Sequence, residues 1–211
     1  MHGSNIQRVM RIAGDLIAHP QYLPRYLRYA PFTGYRPVDI GLPWFSFAAI
    51  DFLDRYITKE MTVFEYGGGG STIFFARRAK KVVCVESSHA WADAIEKALE
   101  EQQIKNVTIL RHPFDVSDKA AFEKSAYLNC AKDYGADVYI VDGYEESIQL
   151  RPICFELVEK IITAASGGII VLDDSWRYGS VRENNKAKEV RGFQSCGPCR
   201  YGVTSTDIFF Y

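Results

Sequence analysis

The chain has 211 residues, 47% of them hydrophobic and 24% charged. That suffices to bury one substantial core and is too short for two full-sized domains. Twenty-five Lys plus Arg against 26 Asp plus Glu leave a formal net charge of -1, so no global field draws the protein to a polyanion and no nucleic-acid partner is expected. No apolar run is long enough to span a bilayer, the opening MHGSNIQRVMRIAGDLIAH mixes Arg and Asp among its apolar residues, and five cysteines suit reduced thiols; a soluble, cytoplasmic chain is expected.

Ile6, Val9, Met10, Ala13, Leu16 and Ile17 recur at helical spacing and predict a packing helix over Asn5 to His19, stopped by Pro20. Gln21 to Pro43 is rich in Tyr, Pro and Gly, which predicts an ordered cap or lid rather than a linker. A helix is expected from Trp44 to about Tyr56. Strand and helix then alternate: strands over Thr62 to Tyr66, Lys80 to Glu86, Asn106 to Leu110, Asp137 to Val141 and Gly168 to Leu172. The helices between them are expected over Ser71 to Ala79, from a Ser87 or Ser88 cap past Trp91 to Leu99, over Ser117 to Lys132, and over Pro152 to Ala165. Uniformly apolar strands separated by helices imply a doubly wound parallel α/β sheet covered on both faces. Runs around Glu189 to Phe193 and Asp207 to Tyr211 predict an antiparallel hairpin at the sheet edge.

In such a sheet the first strand-to-helix turn anchors the ligand. Here it reads Glu65-Tyr66-Gly67-Gly68-Gly69-Gly70-Ser71-Thr72. Glycines let backbone approach a ligand, and the free N–H groups where Ser71 opens the helix bind polar groups. Glu86 ends the second strand about twenty residues on, where a carboxylate grips both hydroxyls of a ribose. Thr72 stands where a nicotinamide fingerprint wants glycine, and Glu65 would repel a pyrophosphate while suiting a ligand with an ammonium group.

Through VFEYGGGGST at 63–72, VVCVE at 82–86, DVYIVDG at 137–143 and GGIIVLDDSWRY at 167–178 the sequence resembles the class I S-adenosylmethionine-dependent methyltransferases. The resemblance runs from Pro43 to Tyr211, which divides the chain into a cap or lid over 1–43 and a cofactor-binding domain over 44–211. It implies a Rossmann-like sheet of seven strands with the last strand reversed, and S-adenosylmethionine as cofactor. Glu65 would then contact the methionine end, Gly67 and Gly69 would pass beneath the cofactor, Glu86 would hold the ribose, and Asp115 or Phe114 would lie near the adenine. Asp142, ending the fourth strand, would stand beside the sulfonium.

Methyl transfer is an in-line displacement, in which the protein aligns the acceptor and takes its proton. Asp142 and His112 are the candidate bases. Arg151 is a candidate for binding an acidic acceptor, or a partner for Asp142 or Asp173; Trp44, Tyr144 and Trp176 are candidates for the acceptor pocket. The same region resembles metal-dependent small-molecule O-methyltransferases, which implies a divalent cation such as Mg²⁺ on Asp142, Asp173 and Asp174. The bland alternative leaves these acids pairing with Arg151 and capping turns. Cys196-Gly197-Pro198-Cys199 spells a redox motif, but no helix follows to lower a thiol pKa, and the segment is read as a hairpin turn. The expected function is methylation of a small-molecule or glycan acceptor, at oxygen. The rivals are an NAD(P)-dependent oxidoreductase and a non-catalytic nucleoside-binding protein. Oligomeric state stays open.

Overall fold

A computed structural model describes residues 5–146, 148–165 and 167–211; the first four residues of the expected cap lie outside them. Alternation along the strands sets the layers. In β1 (Thr62–Tyr66) Val63 packs into one side of the core while Phe64 and Tyr66 pack into the other. β2 (Lys81–Glu86), β4 (Val138–Val141) and β5 (Ile169–Asp173) divide their side chains in the same way, Val82, Val138 and Ile169 on the Val63 side and Val83, Tyr139 and Ile170 on the other. Both faces of the sheet are therefore buried, as parallel strands with helical crossovers require. With β3 (Val107–Arg111), β6 (Glu189–Cys196) and β7 (Val203–Phe210), the order is β3-β2-β1-β4-β5-β7-β6. β7 runs antiparallel to β5, so the last strand sits inside the sheet and β6 is its edge.

The face holding Val63 is covered by α4 (Phe47–Tyr56) and α5 (Gly70–Ala76), together with Tyr22 and Tyr26 of the N-terminal segment. That segment is a chain of short turns: α1 (Asn5–Ala18), a 3-10 turn over Pro20–Tyr22, α2 (Leu23–Arg28), a second 3-10 turn over Pro31–Thr33, and α3 (Pro37–Ile40). Tyr22 and Tyr26 share one core with Phe47, Phe74 and Val82, so the described residues before Pro43 have no separate core of their own. The opposite face is covered by α9 (Arg151–Ala164), the helical turns α7 (Lys119–Lys124) and α8 (Ala126–Asn129), and α10 (Gly179–Glu183). α6 (His89–Glu101) follows β2 and packs with α3 and α5.

Three expectations are corrected. The single helix expected over Ser117 to Lys132 is broken at Ser125, which is extended (φ -67°, ψ 151°). Its hydroxyl accepts from the Leu128 N–H and donates to the Phe122 carbonyl, and a serine offering such local bonds favours a cap over a helix interior. The hairpin strands are eight residues each, longer than expected, with the Cys-Gly-Pro-Cys run at their junction. The α1 helix forms where expected and packs on β6 and β7, but by one edge of the expected stripe: Leu16 and its neighbour on the helix surface Ile12 meet the core, while Ile6, Val9, Met10 and Ile17 are exposed, Ile17 by 81%.

The cap is welded to the sheet through Gly70. A β-carbon there would lie 2.2 Å from the carbonyl oxygens of both Leu42 and Pro37, which are backbone and cannot swing aside. Gly70→Ala should therefore destabilise the fold by about 2 kcal/mol or more, a fall in Tm of roughly 4–8 °C for a chain of this size. An unchanged melting curve in circular dichroism would show that the cap is not seated on this helix start.

Candidate active site

The strand order reverses between β1 and β4, and a cleft of about 490 Å³ opens there at the carboxyl edge of the sheet. Its floor is the glycine loop. Gly67 has φ +78°, and a β-carbon on it would lie 2.7 Å from Gly143 Cα and 2.8 Å from the Asp142 carbonyl oxygen, so the turns after β1 and β4 touch backbone to backbone. At Gly69 an added β-carbon would make only ordinary contact with the Trp91 ring at 3.7 Å. Of the two glycines singled out in the sequence, Gly67 is the one whose conformation and packing both require glycine.

Glu65 lies beneath this loop, outside the cleft lining and fully buried. Its Oε2 accepts a 2.7 Å hydrogen bond from the Thr72 hydroxyl, and the Thr72 oxygen accepts from the Gly69 N–H at 3.0 Å. Thr72, which breaks a nicotinamide fingerprint, is thus the pin between the acid and the loop. Glu65 Oε1 has no partner. Burial pushes this carboxyl up to about 7, against the hydrogen bonds that favour its charge.

Glu86 ends β2 in the cleft wall, 6% exposed. Its Oε2 accepts from the Gly68 N–H at 3.1 Å, and its Oε1 accepts from the Ser88 N–H at 2.8 Å and the Ser87 hydroxyl at 3.4 Å. Ser88 caps α6 by accepting from the Trp91 N–H, and Trp91 Nε1 donates to the Gly68 carbonyl at 2.7 Å. Trp91 lines the cleft beside the loop, a role that its place on the apolar face of α6 does not announce. Pro37 brings the cap to the same cleft, and Trp44, just past the cap, lines it too.

At the other end of the cleft, Asp142 and Arg151 meet at 2.9 Å. Arg151 also donates through Nε to the Gly143 carbonyl at 2.9 Å and through Nη1 to the Asp173 carbonyl at 3.1 Å, tying the ends of β4 and β5 together. Burial is the largest influence and opposes its charge, but Asp142, Tyr178, Asp173 and Asp174 together outweigh it and raise its pKa. Burial pushes Asp142 up to about 6, with Arg151 pulling the other way. Glu145, buried and not foreseen, accepts from the Leu150 and Arg151 N–H groups that open α9, from the Tyr178 hydroxyl and from Arg177 at 2.8 Å. Only its short sequence distance from the helix could have flagged it as a cap.

The expected metal triad of Asp142, Asp173 and Asp174 does not assemble. Asp142 is held by Arg151; Asp173 Oδ1 accepts from the Thr206 hydroxyl at 2.7 Å; Asp174 accepts from Thr204 at 2.8 Å and from Arg200 Nη2 at 3.3 Å. Two guanidinium groups and two threonines take up the carboxylates, and among the described residues no group of three acids, histidines or cysteines is placed to hold an ion. The pairing alternative is the one the side chains adopt. Asp174 itself is strained into the left-handed region (φ 51°); burial, the largest single influence, would raise its carboxyl, but Arg200, Arg151 and the hydrogen bonds from Thr204 and Trp176 together hold it below the usual range.

The remaining sequence candidates divide. Trp44 and Tyr144 line the cleft; Ser71 does too, at the start of α5. Trp176 lies over a neighbouring chamber, its Nε1 near Asp174. His112 follows β3 and donates its backbone N–H to the Glu86 carbonyl, but its side chain is not in the cleft lining. Asp115 is exposed and caps its own turn through Ser117, while Phe114 packs on Phe122 and Tyr127; neither lines the cleft. Cys196 and Cys199 are free thiols, and burial pushes Cys196 up to about 12, opposite to what a redox motif needs.

Asp173 carries a consequence for stability. Burial, then the neighbouring Asp142 charge, push its carboxyl up to about 8. The folded state therefore binds a proton that the unfolded chain releases near pH 4, and this contribution to stability is complete below that pH and is lost as pH rises through about 8. Asp173→Asn keeps an oxygen for Thr206 and removes the titration. Its Tm should fall less than that of the parent between pH 5 and pH 9, with the variant the more stable at pH 9. Parallel curves across that range would remove Asp173 as the titrating group.

No protein-family profile matches the chain, and no curated protein does. Solved structures do match in fold. An rRNA methylase from Streptococcus thermophilus superposes with a TM-score of 0.52 at 14% identity, covering 75% of this chain and 92% of its own. A Streptococcus mutans methyltransferase candidate solved in complex with SAH gives 0.51 at 15%, covering 84% and 99%. The O-methyltransferase TomG from Streptomyces achromogenes, solved in complex with SAM, gives 0.51 at 16%, covering 74% of each. The chain has the Rossmann-like fold of the class I S-adenosylmethionine-dependent methyltransferases.

Proposed function

We propose that the chain is an S-adenosylmethionine-dependent methyltransferase acting on a small-molecule or glycan acceptor, at oxygen. The observation that carries this reading is the pairing, across one cleft, of a nearly buried Glu86 with a glycine loop closed onto the turn after β4. The residues present fit the cofactor. Glu86 suits a ribose diol, which would add charge-assisted hydrogen bonds to a carboxylate already oriented by Gly68 and Ser88. Glu65 Oε1, buried and without a partner, suits a cationic amino group or a water that serves one. The cleft is of the size that small cofactors occupy.

When bound, S-adenosylmethionine supplies a methyl group on a sulfonium, already activated for displacement. The protein's part is then to orient the acceptor and accept its proton. Asp142, in the cleft lining with a carboxyl raised to about 6, is the group we assign to that proton: it is ionised at neutral pH and less solvated than a surface carboxylate. Arg151 holds it in place. His112, away from the cleft lining, has no such geometry.

The nicotinamide reading is weakened by topology as well as by Thr72. The dinucleotide-binding sheet has six parallel strands in the order 3-2-1-4-5-6, whereas here β7 runs antiparallel between β5 and β6. The acceptor class is a matter of the site and not of the fold, since an rRNA methylase and an O-methyltransferase involved in tomaymycin synthesis superpose about equally well. Among the described residues no helix is long and apolar enough to cross a membrane.

Calorimetric titration with S-adenosylhomocysteine tests the reading. The parent chain should bind it, and NAD and NADP should give no heat. Glu86→Ala should weaken binding by about 1.5–3 kcal/mol, roughly 10- to 150-fold in Kd, with the melting curve retained. Binding of NAD in preference to S-adenosylhomocysteine would overturn the proposal, and an unchanged Kd in Glu86→Ala would remove Glu86 from the site. A chain that binds but turns over no acceptor in a broad screen would favour a non-catalytic binding protein.

A further inference from the structure

Beside the cleft lies a second chamber of about 280 Å³. Its walls include Arg8 and Arg11 of α1, Asp174 and Trp176 after β5, and Arg200 and Tyr201 from the β6–β7 turn. Three guanidinium groups and one carboxylate line it. Asp174 is ionised at neutral pH, being held below the usual range, so the charges of the lining sum to a positive excess.

Arg200 stands between the two spaces. Its guanidinium lies 5.2 Å from the centre of the Trp44 ring, which lines the cleft, and its Nη2 reaches Asp174 in the chamber. Nη1 is buried with no hydrogen-bond partner; the other nearby acid, Asp173, is 3.9 Å away. Arg200 is thus paired with Asp174 through Nη2 while Nη1 keeps a donor without a hydrogen-bond partner, and Arg8 and Arg11 supply the rest of the positive charge of the wall. The aromatic residues have the opposite character: Trp176 and Tyr201 are 46% and 66% exposed, and they offer ring surface at the rim of a cationic space. Exposed ring faces beside guanidinium groups recognise a planar or sugar ring that carries an oxyanion.

We propose that this chamber is the anchoring subsite of the methyl acceptor, and that the acceptor is a small ring compound bearing a phosphate or carboxylate. Arg8, Arg11 and Arg200 attract the oxyanion, Trp176 and Tyr201 contact the ring, and the remainder of the molecule extends past Trp44 toward Asp142. This rests on the methyltransferase reading. It also explains what the N-terminal helix contributes, since α1 packs on β6 and β7 and delivers two of the three cations to a space that the sheet alone leaves open.

The test uses the full chain saturated with S-adenosylhomocysteine at low salt, titrated with phenyl phosphate, inorganic phosphate, phenyl β-glucoside and a short oligouridylate. Phenyl phosphate should bind at least tenfold more tightly than inorganic phosphate or the neutral glucoside, and its affinity should fall as salt is raised. Arg8→Gln/Arg11→Gln, changed on an accessible helix and checked by its unchanged S-adenosylhomocysteine affinity, should weaken phenyl phosphate at least tenfold. Equal binding of phenyl phosphate and inorganic phosphate would overturn the proposal in favour of a simple anion site. Equal binding of the glucoside would remove the charge argument. Oligouridylate binding far tighter than phenyl phosphate would replace the small acceptor by RNA. A chain that binds S-adenosylhomocysteine but no phenyl phosphate refutes the subsite alone, whereas failure to bind S-adenosylhomocysteine refutes the methyltransferase reading.

Discussion

Arg151 is the interaction on which the carboxyl edge of the sheet depends. Its guanidinium bonds the Asp142 carboxylate, the Gly143 carbonyl and the Asp173 carbonyl, so one side chain from the start of α9 fixes the ends of two adjacent strands. Removing one partner of a buried ion pair leaves an uncompensated charge, a loss of about 3–5 kcal/mol. Glu145 in turn fixes Arg151 by accepting its backbone N–H and that of Leu150. The position of Asp142 in the cleft is therefore inherited from a helix cap several residues away.

The same economy governs the glycine loop. Its shape follows from two backbone approaches: Gly67 against the turn after β4, and Gly70 against the carbonyls of Pro37 and Leu42. The first seats β1 beside β4 and the second seats the cap on the loop. Thr72 and Glu65 complete the arrangement from below, with a buried acid whose remaining oxygen is unpaired. A buried polar atom without a partner is costly, which is the ground on which Glu65 is proposed to serve the cofactor.

Much of this could be read from residues alone. The strands β1, β2, β4 and β5 show themselves because both their faces are buried and every position from Val82 to Val85 must be apolar. Glu86 was visible because its spacing from the loop follows from one β-α-β unit. What lay hidden depended on partners distant in sequence. The carboxylates at Asp142, Asp173 and Asp174 look like a metal site until Arg151, Arg200, Thr204 and Thr206 are brought beside them by α9 and the terminal hairpin. Trp91 reads as one more apolar residue on a helical face, and only the register of α6 against the loop turns its indole N–H toward Gly68. Ser117 to Lys132 reads as helix by composition because Ser125 is a weak helix breaker whose capping bonds appear only in three dimensions.

Net charge is a total and says nothing of how the charges are distributed. A total of -1 conceals an uneven distribution: the first 43 residues hold five arginines and two aspartates, and the acidic excess falls in the remainder. A field that decays within about 10 Å at moderate ionic strength is set by the charges near it and not by the sum over the chain. Where α1 brings Arg8 and Arg11 beside Arg200, the local balance is positive although the protein as a whole is not. The exposed apolar stripe of α1 has the same origin. Ile6, Val9, Met10, Leu16 and Ile17 give the helix a strong period, but that period says only that one side differs from the other; of the stripe Leu16 meets the core, with Ile12 beside it, because the packing surface is chosen by the edge of the sheet and not by the helix.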